Sequence, residues 1–290
     1  MNLQEQYNDP FLQQSAEQYQ QQNFGQQVFR NGTLVPFTVA FVQETTVFRE
    51  FGPLAGSTMR FAYDVAPKLG NTLSRQTFDG DARYYQRLAS TGVLALRLRG
   101  FKSTGAFPDF LYFGGNSEMR GYDYLQFVGQ NVTFANAELR FPIIEAALTP
   151  IGVIGGIRGV FFANMGGGWF NNQNFKFATS ATETTRSIVD FQRDATGAIL
   201  LDPVTQLPLP VYGPDKTISG FRLKDGRASY GLGLETFALG FPIHFDWSWR
   251  TLFNSSWEDQ LYSAEGADAG TTGSKWFRKP RFAVWIGYDF

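Results

Sequence analysis

The side chains that most often carry chemistry are scarce in this chain. Cysteine is absent and histidine occurs once, as His244. This excludes thiol catalysis, disulfides and Cys-ligated metals, and it leaves no two-His zinc site. No nucleophile, base and acid assemble into a set, so no enzyme activity, cofactor or metal is expected. "MGGGW" at 165–169 has no Lys-Ser/Thr after it and reads as a flexible loop, not a phosphate cradle. What remains is ion-pair chemistry. Arg120 stands in "GGNSEMRGYDY", where Gly114 and Gly115 permit backbone geometry that other residues resist. Such a stretch can fold back and carry Arg120 into a partly dry interior. A guanidinium there needs carboxylate or carbonyl partners. Glu138 and Glu235 are the candidate ionic partners, Arg158 competes for them, and Asn164 offers a neutral acceptor.

The elements that must position these residues are strands. Apolar and aromatic residues recur at every second position in segments near 34–44, 57–66, 80–90, 92–101, 131–143, 152–164, 226–239, 241–251 and 280–290. In 241–251, Phe241, Ile243, Phe245, Trp247 and Trp249 share one face. His244, Asp246, Ser248 and Arg250 share the other, so His244 reads as an inward polar residue and not a ligand. In 131–143, Ala135, Ala137, Leu139 and Phe141 oppose Asn136, Glu138 and Arg140. Each segment is about ten residues, enough to cross a bilayer at a tilt. A soluble sandwich and a membrane barrel share this alternation. In a barrel, however, the apolar face meets lipid and the polar face lines the lumen.

Connection lengths favour the barrel. The links at Thr91 and Gly240 are tight, and those at 45–56 and 144–151 are moderate. The links at 67–79, 102–130, 165–225 and 252–279 are longer, and the two kinds alternate. Outer-membrane barrels have short periplasmic turns and long extracellular loops. A compact soluble domain rarely carries an irregular loop as long as 165–225.

Composition is compatible with this. Aromatic residues make up 17% of the chain, Gly is abundant, and the formal net charge is -1. Nucleic acid is not an expected partner at that charge. No run of about 18 apolar residues suggests a transmembrane helix. Residues 1–32 are polar and Gln-rich and read as a loop or disordered segment, with the barrel portion at 33–290. They lack the basic start and apolar stretch of a signal peptide.

The stretch around Arg120 resembles the barrel of the BamA-like outer-membrane assembly and translocation family, also called the bacterial surface antigen family. The resemblance rests on Gly114-Gly115, then Arg120-Gly121-Tyr122, then Glu138-Leu139-Arg140 with Pro142. Phe162-Ala163-Asn164 follows where the family has Phe-x-Asp, and then Gly231-Leu232-Gly233. It closes on the aromatic terminal strand with Phe282, Val284, Ile286, Tyr288 and Phe290, and it covers about 34–290. It implies that the loop with Arg120 braces the lumen and that the terminal strand is an assembly signal. Candidate lumen partners are Glu138, Phe162, Asn164, Gly231, Gly233 and Glu235. The implied function is cofactor-free insertion or export of proteins at the bacterial outer membrane. The implied partners are outer-membrane lipid, unfolded outer-membrane or secreted proteins, and periplasmic accessory proteins. Two alternatives stand beside it: a barrel anchor for a fused N-terminal propeller or hydrolase, and a soluble all-β binding protein.

The fold class expected is therefore all-β: about nine antiparallel strands forming the C-terminal part of a transmembrane barrel. The resemblance implies sixteen strands in the complete barrel. A terminal strand ending on the periplasmic side leaves the first of the nine beginning outside, so an earlier strand is expected, and the chain reads as a fragment of a longer protein.

Overall fold

The computed structural model describes residues 2–3, 32–49, 52–88, 92–149, 152–186, 188–203, 207–238, 241–262, 273–274, 277–278 and 280–287. Most of segment 1–32 lies outside them, as do Tyr288 and Phe290. Nine strands follow one another: β1 (Phe37–Glu44), β2 (Gly52–Ala66), β3 (Arg75–Leu88), β4 (Gly92–Gly105), β5 (Asn131–Thr149), β6 (Gly152–Trp169), β7 (Arg227–Ala238), β8 (Phe241–Thr251) and β9 (Arg281–Ile286). Each pairs antiparallel with the next, so the sheet is an uninterrupted meander from β1 to β9. A short strand, Val47–Arg49, also pairs with β2, and a helix, α1 (Ser255–Tyr262), sits in the link before β9.

Several strands run longer than ten residues: β5 has 19 and β6 has 18. Two stretches that read as links, 45–56 and 144–151, are partly paired instead. "GPLAG" at 52–56 is not a turn but the start of β2, laid against Val47–Arg49 with a register shift. Gly56 makes this possible: it sits at φ 102, and a Cβ there would come within 3.0 Å of Thr46 Cα. Thr149 pairs with Gly152, so the β5–β6 link shrinks to 150–151. Pro142, which cannot donate to a ladder, falls at the register shift between Pro142 and Ile144. Arg49 and Gly52, Leu88 and Gly92, Thr149 and Gly152, and Ala238 and Phe241 are thus separated by only two or three residues in sequence, and these strand ends lie at one end of the sheet.

The two faces of the sheet settle what alternation alone left open. Large apolar side chains are the exposed ones: Phe41, Phe61, Leu98, Phe161, Leu232, Phe241, Phe282, Val284 and Ile286. The buried face carries Asn136, Glu138, Arg140, Asn164, Ser229, Glu235, His244, Asp246, Ser248 and Arg250. A soluble sheet buries the opposite set. Polar residues inside and a continuous apolar band outside are the arrangement of a sheet with lipid at its back and a lumen at its front.

Candidate functional site

The link between β4 and β5 turns back over the polar face of the sheet. Leu111–Phe113 pairs with Phe127–Gly129, and Gly115 bridges to Met119, so the stretch is a hairpin with Arg120 at its turn. Gly114 (φ 132), Gly115 (φ 78) and Gly121 (φ 89) hold conformations that favour glycine. A Cβ at Gly121 would come within 3.0 Å of Ser248 Oγ, so the loop lies close against β8. Apolar side chains anchor its base. Phe113, Met119 and Tyr122 pack with Phe101, Val132 and Phe134 into one buried cluster.

Arg120 is 2% exposed. Its Nη2 donates to Glu138 Oε1 at 2.7 Å, and its Nε donates to the Asn116 carbonyl at 3.1 Å. Its Nη1 lies 3.6 Å from Asp246 Oδ1. The guanidinium sits 4.7 Å from the Phe162 ring centroid and 5.6 Å from that of Trp285. Glu138 is on β5 and Asp246 on β8. In a flat sheet these strands would be about 14 Å apart. One guanidinium reaches both because the sheet is strongly curved, with its polar face concave.

Backbone and tethering contacts secure the same turn. The Ser229 hydroxyl donates to the Arg120 carbonyl. Arg250 Nε donates to the Gly121 carbonyl at 2.7 Å, with its guanidinium 4.6 Å from the Tyr122 ring centroid. The Tyr122 hydroxyl donates to the Ala228 carbonyl at 3.0 Å. Arg281 of β9 pairs with Asp123, and that hydrogen bond holds the Asp123 carboxyl below its ordinary value.

Of the two carboxylates expected for Arg120, Glu138 takes it, and Glu235 pairs with Arg158, its neighbour across the β6–β7 ladder, because register sets those two side by side on the lumen face. The Asn164 amide bonds to other groups. Its Oδ1 accepts from Asn136 Nδ2 at 2.8 Å and its Nδ2 donates to Ser229 Oγ at 3.2 Å. Glu138 bridges two cations, since Arg140 Nε donates to its Oε2 at 2.9 Å.

The glycines of β7 act by leaving room. A Cβ at Gly231 would overlap the Trp247 carbonyl oxygen of β8 and the Phe162 ring, and one at Gly233 would overlap the Asp246 carboxylate. Gly231 lets the Phe162 ring lie flat across β7, and Gly233 makes space for Asp246. Asp246, Trp285, Ser229 and Arg250 escaped the reading of candidate partners. Parity had placed Asp246 and Arg250 inward, but nothing in the spacing said that a loop from β4–β5 would land on β8.

On β9, Phe282, Val284 and Ile286 point outward and are exposed, while Trp285 is buried on the lumen side. The Trp285 ring stacks on His244 at 3.6 Å between centroids, and its Nε1 donates to Asp246 Oδ2 at 2.7 Å. His244 Nε2 is 2.8 Å from the Gly287 carbonyl. Among the described residues, β9 has β8 as its one neighbour, and its other edge carries no partner strand.

A family-level comparison matches the Omp85 superfamily domain over residues 17–290. The chain belongs to the Omp85 superfamily. The match begins upstream of the stretch, from about residue 34, over which motifs were legible in the sequence. A comparison with curated proteins finds no match. Membership of Omp85, a β-barrel family of the bacterial outer membrane, accords with the inverted faces and the antiparallel meander described above.

Proposed function

We propose that this Omp85 chain inserts or translocates polypeptides at the bacterial outer membrane, using protein geometry alone and no cofactor. The observation that carries the reading is the plug: Arg120, at the turn of an inward hairpin, is buried against Glu138 over Phe162. A buried ion pair of this kind fixes one arrangement of a loop more than it adds stability. The braced loop occupies the lumen and holds the curvature of β5 to β9. The edge of β9 offers backbone N–H and C=O groups to an incoming strand by β-augmentation. Lipid faces the outward apolar band, unfolded outer-membrane or secreted proteins are the substrates, and periplasmic accessory proteins deliver them. In this reading the barrel portion spans 33–290, and Phe282 to Phe290 form the signal for the chain's own assembly.

The test is folding of an unfolded outer-membrane protein in liposomes that contain the chain. The reading expects faster folding than in empty liposomes, and a loss of that acceleration in Arg120→Ala at unchanged amounts of incorporated chain. No acceleration by the unaltered chain overturns it.

A further inference from the structure

The lumen face of β2, β3 and β4 carries a second charged array, which adjoins the anchored base of the Arg120 loop where Arg97 lies over the Phe134 ring. Asp79 takes two arginines: Arg60 Nη1 at 3.3 Å and Arg99 Nη2 at 3.0 Å. Asp81 also takes two. Arg97 Nη2 donates to its Oδ2 at 2.8 Å and Arg83 Nη2 at 2.9 Å, and each arginine adds a second bond through Nε. Four guanidiniums thus face these two carboxylates and Glu44 of β1, which lies in the same cross-strand row as Arg83, and one cation is left in surplus in a chain whose overall net charge is -1. The surplus sits where solvent reaches. The Arg60 side chain is 48% exposed and that of Arg83 33%, while Arg97 and Arg99 are largely covered. No lysine contributes to the cluster. Arginine is the cation whose planar fork of five donors can serve two carboxylates at once.

The two exposed donors are also spaced for a strand. Arg60 of β2 lies opposite Asp81 of β3, and Arg83 is two residues beyond Asp81. Diagonal neighbours of this kind are about 7–8 Å apart, close to the repeat of every second residue in an extended chain.

We propose that this wall binds an extended polypeptide segment with carboxylates at alternate positions, so that polypeptides with acidic, strand-like segments are the preferred substrates. The proposal rests on the reading of the lumen as a polypeptide path. Carboxylates of such a segment would take up the outward donors of Arg60 and Arg83. Arg97 and Arg99, held by Asp81 and Asp79, would keep the array in register. The occupant is a peptide and not a free anion because charge surplus and strand spacing occur together.

Binding to the refolded full chain in zwitterionic detergent separates this from the insertion reading, because it needs no insertion to occur. The probe is a fluorescein-labelled twelve-residue peptide of alternating Glu and Thr, followed by anisotropy. Peptides with Gln or Lys in place of Glu are the controls. The acidic peptide is expected to bind at least about tenfold more tightly than the Gln peptide, and to weaken as salt rises. Arg60→Gln with Arg83→Gln should weaken it about threefold to tenfold, as loss of two part-exposed ion pairs implies. Both aspartates keep a partner in that variant, so folding is not in question. Asp79→Asn should tighten binding instead. Equal binding of the Gln peptide overturns the proposal, as does a variant pair with no change. Displacement by inorganic phosphate at the same total charge concentration also overturns it, because the wall would then be a general anion site.

Discussion

Arg120 and Glu138 meet at 2.7 Å with exposures of 2% and 1%, although one comes from a loop turn and the other from the middle of a strand. The pair is the buried ionic contact of a loop that Arg250, Tyr122 and the Phe113 cluster also hold against the lumen face. Removing one member of a buried pair costs roughly 3–5 kcal/mol, because the other charge is stranded. Arg140 still faces Glu138, so Arg120→Ala should fall toward the low end. Denaturant unfolding in detergent, followed by the gel shift on heating, measures it. A double-mutant cycle of Arg120→Ala with Glu138→Ala should be non-additive by about 1 kcal/mol or more, and one with Glu235→Ala additive within about 0.5 kcal/mol.

The β7 glycines predict a steric effect. Gly231→Ala places a methyl against both the Trp247 carbonyl of β8 and the Phe162 ring, so the β7–β8 pairing and the ring under Arg120 must both shift. A destabilisation of about 1–3 kcal/mol is expected, the usual cost of overpacking. Leu232→Ala, on the exposed outward face, should cost less in the same unfolding experiment.

Much of this was legible in the sequence, and the reason is specific. Period-two alternation in 241–251 put His244, Asp246, Ser248 and Arg250 on one face, and all four are buried there. Strand existence followed from such patterns because each side chain's face depends on parity alone. The ends were harder to read. "GPLAG" looks like a turn because Gly and Pro punctuate most chains, and only the approach of Thr45 and Thr46 to Gly56 shows why it is paired. The partner of Arg120 was read as either Glu138 or Glu235, since both face inward. Choosing between them requires knowing that Arg158 lies across the ladder from Glu235 and that the sheet curves enough to bring β5 and β8 to one guanidinium.

The tether between Asp123 and Arg281 predicts a pH dependence. Its hydrogen bond lowers the Asp123 pKa in the folded chain, so its contribution is fully present above the unfolded carboxyl value of about 3.9. It is lost as pH falls through the lowered folded value. Protease cleavage within 106–130 should therefore be constant from about pH 8 to 5. Asp123→Asn should raise cleavage across that whole range.

Trp285 ties β9 to β8 by its hydrogen bond to Asp246. Trp285→Phe keeps the ring over His244 and removes the donor. A bond to a charged group is worth about 1.5–3 kcal/mol. Amide exchange in Arg281–Ile286 should speed up accordingly, with β5 and β6 unchanged.

The edge of β9 is where the account places an incoming strand, and the absence of cysteine makes that directly measurable. A single cysteine at Val284 should form a disulfide with a cysteine in the terminal strand of a folding substrate in liposomes. The same substrate should not join a cysteine at Leu139, in the middle of the sheet. Crosslinking at Leu139 as strong as at Val284, or none at Val284 while the substrate folds, contradicts the account.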